Sequence, residues 1–110
     1  MVQEPRRSRR VAVIDGDPGV CSDVGRVLYY GGFATETFTS ASAFIKARPW
    51  ERCELLVTGM QTPSVDGLRL LGHLLDEDVS VPVLMLTGSH EPALRGQALA
   101  AEAMSFLERP

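Results

Sequence analysis

The polar residues that follow this chain's apolar runs are the ones that could do chemistry. Val11-Ala12-Val13-Ile14 leads into Asp15-Gly16-Asp17-Pro18, and Leu55-Leu56-Val57-Thr58 leads into Gly59 and a loop that closes at Asp66-Gly67. Where strands and helices alternate, ligands and reactive groups collect at the carboxyl ends of strands. Asp15 and Gly59 stand at two such ends. A carboxylate can hold a hard cation or cap a helix, whereas glycine brings no side chain. The sequence has no Gly-rich phosphate loop, no nucleophile–base pair and no metal-ligand cluster. Cys21 and Cys53 form no CxxC and no disulfide framework, and read as two buried or half-buried thiols. His73 and His90 have no partner at ligand spacing and read as exposed polar residues.

These tips need strands behind them and helices after them. Residues 11–14 read as a buried strand, followed by a helix with Asp17 as N-cap and Pro18 at its first position. That helix is expected to turn Val20, Val24, Val27 and Leu28 inward and to stop at Gly31-Gly32. Residues 33–38 alternate as a second strand, and Ser40 caps a short helix with Ala41, Phe44 and Ile45 inward, ending before Pro49. Residues 55–58 form the third strand. Asp66 caps a helix with Leu68, Leu71 and Leu75 on one face, broadened by Leu70 and Leu74, which ends in Asp76-Glu77-Asp78. Residues 81–86 form a fourth strand, residues 93–101 a weak helix containing Gly96, and residues 103–107 a fifth short strand. Four β–α units and a closing strand predict a parallel sheet with helices on both faces.

The chain has 110 residues, 45% of them hydrophobic and 23% charged, with net charge −3, which fits one globular domain. The acidic balance argues against direct nucleic-acid binding, and no apolar run reaches the about 20 residues of a membrane span. A cytoplasmic location is therefore expected. Residues 1–10, with Arg6, Arg7, Arg9 and Arg10, read as a basic flexible leader, and residues 11–110 as the domain.

Four features in order resemble the receiver domain of bacterial two-component response regulators. They are the acidic tip Asp15-Gly16-Asp17-Pro18; Pro63-Ser64-Val65-Asp66-Gly67, similar to the family's P-x-x-D-G; Leu86-Thr87-Gly88; and Ala103-Met104-Ser105-Phe106-Leu107-Glu108-Arg109-Pro110, similar to A-x-x-F-L-x-K-P. The resemblance covers residues 11–110 and implies an α/β, flavodoxin-like, doubly wound five-stranded parallel sheet in the order 2-1-3-4-5, with a role in phosphorelay signalling. It also implies a site in which an aspartate on the third strand accepts a phosphoryl group. An acid pair after the first strand holds Mg²⁺, a Thr or Ser and a Lys bind phosphoryl oxygens, and an aromatic residue on the fifth strand acts as a switch.

Carried over in register from Pro63 and Asp66-Gly67, the phosphoacceptor position is Gly59. The acid pair is Asp15 and Gly16, with Asp17 one step further on. Gln61 matches the position whose carbonyl faces the metal. Thr87 keeps the hydroxyl, Phe106 the switch aromatic, and Arg109 stands for the lysine, an exchange that alters geometry. One carboxylate in place of three makes a poor Mg²⁺ site, so no cofactor and no phosphorylation are expected. Each survivor also has a plainer role. Asp15 or Asp17 serves more readily as a helix cap and Phe106 as core, and Thr87 serves equally as a strand-end hydrogen-bonding residue or as a switch. Asp66 reads as a helix cap, not a replacement nucleophile.

The chain ends at Pro110, before the family's last helix, so apolar surface beside the first helix is expected to be exposed. A protein partner or a second copy, as in a homodimer, would then cover it. The expected function is a degenerate receiver: a regulatory interaction module, not an enzyme, which can form the N-terminal part of a transcription regulator. The alternative is a small-ligand-binding or enzymatic flavodoxin-like domain using the emptied pocket. Restoring Gly59→Asp with Gly16→Asp is expected to bring phosphorylation back in part if the pocket is otherwise intact.

Overall fold

A computed structural model describes residues 9–62, 64–87 and 91–108. Its central sheet is parallel, in the order β2-β1-β3-β6, with β1 at Arg10–Ile14, β2 at Ala34–Phe38, β3 at Leu55–Gly59 and β6 at Val83–Leu86. Between β3 and β6 the chain makes a small antiparallel hairpin from β4 (Gln61–Thr62) and β5 (Val65–Asp66). The helices are α1 (Pro18–Tyr30), α2 (Ala41–Ala47), α3 (Gly67–Asp76) and α4 (Pro92–Leu107). The expected α/β, flavodoxin-like sheet is present.

Both sheet faces are covered, which is why β1 and β3 read as nearly unbroken apolar runs. Side chains alternate between the faces. Val11, Val13, Leu55 and Val57 pack with Val20, Val24 and Leu28 of α1 and with Leu99, Ala103 and Leu107 of α4. Ala12, Ile14 and Leu56 pack on the opposite face with Phe44, Trp50, Leu70 and Leu74.

The local signals explain most element ends. The Asp17 side chain accepts hydrogen bonds from the amides of Gly19 and Val20, with Pro18 behind it, and starts α1 as expected. At the other end Gly32 takes φ 93°, a value that glycine adopts without penalty. The Phe33 amide then donates back to the Leu28 carbonyl at 2.9 Å and the Gly32 amide to Tyr29 at 3.0 Å, the paired closure of a Schellman motif. Ser40 caps α2 through the Ala43 amide, and Asp66 caps α3 through the amides of Leu68 and Arg69. Arg10 opens β1 and Arg9 pairs with Glu54 at 3.0 Å, so the ordered domain begins inside the expected leader; residues 1–8 lie outside the described residues.

Three expectations are overturned. Residues 103–107 are not a fifth strand but the last turns of α4, and no strand lies beyond β6 among the described residues. The local helical period wins there: Gly96, Leu99, Ala100, Ala103 and Leu107 fall on one buried stripe in an alanine-rich, proline-free run. In consequence α4 lies against α1, and the apolar surface expected to be bare beside the first helix is covered by the chain itself. The face of α3 is shifted to its Leu70–Leu74 side, while α1 keeps Val20, Val24 and Leu28 inward as expected and loses only Val27. Val27 is 44% exposed while Cys21 takes its place in the core, and in α3 it is Leu70 and Leu74 that are buried, with Leu68 and Leu75 outward. Gly67 explains the α3 rotation. A Cβ there would lie 2.8 Å from the carbonyl oxygens of Gly59 and Met60, so α3 starts pressed against the tip of β3.

Candidate functional site

The candidate site lies at the carboxyl ends of β1 and β3, where Asp15 and Gly59 are both buried. Asp15 is wholly enclosed, and its carboxylate is held by a residue from the far end of the chain. Arg95, in the first turn of α4 and 5% exposed, donates from Nε to Asp15 Oδ2 at 2.7 Å and from Nη2 to Oδ1 at 3.1 Å. The Asp17 amide donates to the same Oδ1 at 2.9 Å. This is the fork-on-carboxylate geometry in which arginine binds most strongly. The bond to Asp15 raises the Arg95 pKa, against the opposing effect of burial, so the guanidinium stays charged. An arginine near a helix N-terminus opposes the helix dipole, and the buried carboxylate offsets that cost.

Gly59 sits directly beside this pair. A Cβ built on it would lie 3.2 Å from Asp15 Oδ2, 3.3 Å from Thr62 Cγ2 and 3.5 Å from Arg95 Cδ. The space beside Gly59 is thus filled by the Arg95 stem and its neighbours. The rim is backbone-bonded: the Gly16 amide donates to Thr62 Oγ1 at 2.9 Å, the Met60 amide to the Leu86 carbonyl at 2.9 Å, and Thr58 Oγ1 to the Gly59 carbonyl at 2.8 Å.

The other expected site residues are less gathered. Gln61 is exposed on β4, opposite Asp66 in the hairpin, and Thr87 is exposed just past β6. Phe106 is not on a strand, as a switch aromatic would be. It is a half-buried residue of α4 packed against the α1-side core, because the segment is helical. Arg109 and His90 lie outside the described residues. His73 is half-buried rather than exposed, 3.8 Å from Glu77 and beside the Trp50 ring. An open groove of about 550 Å³, which Asp15 does not line, runs between α2, the hairpin and α3, lined by residues such as Ile45, Gln61, Thr62, Val65 and Leu70. Among the described residues no three His, Cys, Asp or Glu side chains gather as a metal site, and no helix is long and apolar enough to cross a membrane.

Arg95 is the residue of this candidate site that reading the sequence missed. Its signal was present: it lies four residues before Leu99 and eight before Ala103, on the buried stripe of α4. A charge on such a stripe asks for a buried partner.

The whole domain matches one family model, the response regulator receiver domain, over residues 11–110. The chain belongs to the response regulator receiver family. Among curated relatives of this receiver domain, the transcriptional regulatory protein FixJ of Rhizobium meliloti (strain 1021) is 31% identical over 100 residues, covering 91% of this chain and 49% of FixJ. FixJ of Azorhizobium caulinodans is 35% identical over 101 residues, covering 91% and 47%. The receiver domain therefore spans about half the length of these relatives. Full-length FixJ from B. japonicum superposes with TM-score 0.68 at 28% identity, covering 90% of this chain and 46% of that one. The Vibrio cholerae chemotaxis protein CheY4 superposes with TM-score 0.70 at 20% identity, covering 92% and 97%, a likeness of fold.

Receiver sites of this family imply Mg²⁺, and the donor set here does not fit it. A hard cation needs several free oxygen ligands, and the oxygens of Asp15 are already engaged by Arg95 and the Asp17 amide.

The two thiols lie on opposite faces of the sheet, Cys21 with α1 and Cys53 with α2. Burial pushes each up to about 11 from a usual 9.0, with Asp15 adding to the rise at Cys21 and Glu36 at Cys53. At pH 8 the thiolate fraction in the folded chain is then roughly a hundredfold below that of the unfolded chain. Iodoacetamide at pH 8 should leave both cysteines unmodified over minutes and label both in urea, as read by intact mass. Rapid labelling of Cys21 in the folded domain would show that the α1–α4 face opens.

Proposed function

We propose that this receiver domain signals without phosphoryl transfer, as a regulatory module that presents one fixed surface to a protein partner or to a second copy. The observation that carries this reading is Gly59 at the phosphoacceptor position. Asp15, the remaining acid of the pair, supports it by being committed to Arg95. Asp17 is committed in its turn to capping α1, and Asp66 to capping α3. Asp15 has both carboxylate oxygens engaged, and Asp17 and Asp66 each spend Oδ1 on a helix cap, which disfavours all three as replacement nucleophiles. The domain needs no cofactor on this reading, and it is not an enzyme. The names of its FixJ relatives support an output in transcription, carried by sequence outside the region they share with this chain. The alternative, a ligand bound in an emptied pocket, is disfavoured because Arg95 takes the space beside Gly59.

The test is incubation of the domain with acetyl phosphate and Mg²⁺, followed by intact mass measurement. No mass gain is expected at any time point. A gain of one phosphoryl group mapping to Asp15, Asp17 or Asp66 overturns the reading.

A further inference from the structure

We propose that Arg95 is the resident cation of this pocket, a guanidinium that α4 lays where a divalent cation would need to sit, closing the site to metal even when its missing carboxylates are restored. The proposal rests on the reading that Gly59 cannot take a phosphoryl group, and it adds a second block independent of the first.

The geometry carries it. A metal entering beside Asp15 would have to displace two charge-assisted hydrogen bonds, at 2.7 Å and 3.1 Å, from a group with almost no access to water. Arginine cannot leave by losing its proton, because its charge is permanent in this range. A carboxylate introduced at position 59 would not create a free ligand either. Its Cβ would start 3.2 Å from Asp15 Oδ2 and 3.5 Å from Arg95 Cδ, so its charge would fall beside the same guanidinium. Putting back Gly16→Asp and Gly59→Asp therefore supplies Arg95 with further anionic partners before it supplies a metal with ligands.

The position of Arg95 also ties the block to the fold. Its helix packs along α1 and buries Leu99, Ala103 and Leu107 in the core. The guanidinium is therefore held in place by an apolar face and does not swing on a loose arm. Gly96, the next residue, brings α4 close to α1: a Cβ there would lie 3.4 Å from Asp23 Cβ.

The experiment compares Mn²⁺ binding, by water proton relaxation, in three chains: the natural one, Gly16→Asp/Gly59→Asp, and Gly16→Asp/Gly59→Asp/Arg95→Gln. The natural chain and the double variant should show no saturable binding, and the triple variant should bind at least about tenfold more tightly than the double. Equal binding by the double and triple variants, or none by the triple, overturns the proposal. If the triple variant does not fold, the double variant decides alone: relaxation enhancement that saturates below about 1 mM Mn²⁺ overturns the proposal, and its absence supports it. Phosphodonor labelling of the natural chain bears on Gly59 and leaves this comparison untouched, so the two readings fail separately.

Discussion

Replacing Arg95 with methionine should lower the unfolding free energy by about 3 kcal/mol or more. The methionine fills much of the stem's volume but leaves the Asp15 carboxylate enclosed, with one amide donor where it had three. An unpaired buried charge is among the few single changes that cost this much. Asp15→Asn should cost a similar amount, because it strands the guanidinium. The double variant Asp15→Leu/Arg95→Met should recover most of the loss, since an apolar pair of similar volume can match a buried ion pair. Urea unfolding followed by circular dichroism checks all three. A double variant less stable than Arg95→Met alone would show that the two residues act separately, in spite of their contact.

Phe44→Ala is expected to cost about 3–5 kcal/mol, through lost burial and the cavity left behind. Phe44 is fully buried at the centre of the α2–α3 face. Its ring meets Phe38 edge-on, with centroids 5.4 Å apart, and lies tilted against Trp50 at 5.7 Å. Such aromatic contacts add about 0.5–1.5 kcal/mol to the burial. Trp50 makes the change visible. Its emission should shift to the red in the folded variant as the pocket beside it loosens, and the urea midpoint should fall without a change in slope. An unchanged Trp50 spectrum together with a loss under about 1 kcal/mol would show that α2 collapses onto the gap.

How much of this could be read from the sequence follows from the range of the forces involved. Asp17-Pro18, Ser40 and Asp66 were legible as helix starts because a cap is settled within three residues. Val11–Ile14 and Leu55–Thr58 were legible as central strands because burial on both faces leaves a continuous apolar run. The turn at Gly31-Gly32 was legible for the same local reason. The end of the chain was misread. The likeness of residues 103–110 to a family pattern pointed to a strand, while the residues' own spacing favoured continuation of the helix that buries them. The rotation of α3 was hidden because its leucines are nearly all round it, and only the contact of Gly67 with β3 chooses among them. The Asp15–Arg95 pair joins positions 80 residues apart, and no local pattern announces such a partner.

That separation also sets an order of assembly. The face carrying α2 and α3 is built from residues 12–83, so it can close while the rest of the chain is still being made. The other face needs Leu99, Ala103 and Leu107 from the last helix before its stripe on α1 is sealed. A chain that leaves the ribosome amino terminus first therefore carries Val20, Val24 and Leu28 covered only by the strands until nearly the end of this region has emerged. During synthesis, the vulnerable interval of this domain belongs to its first helix, and its last helix brings that interval to a close.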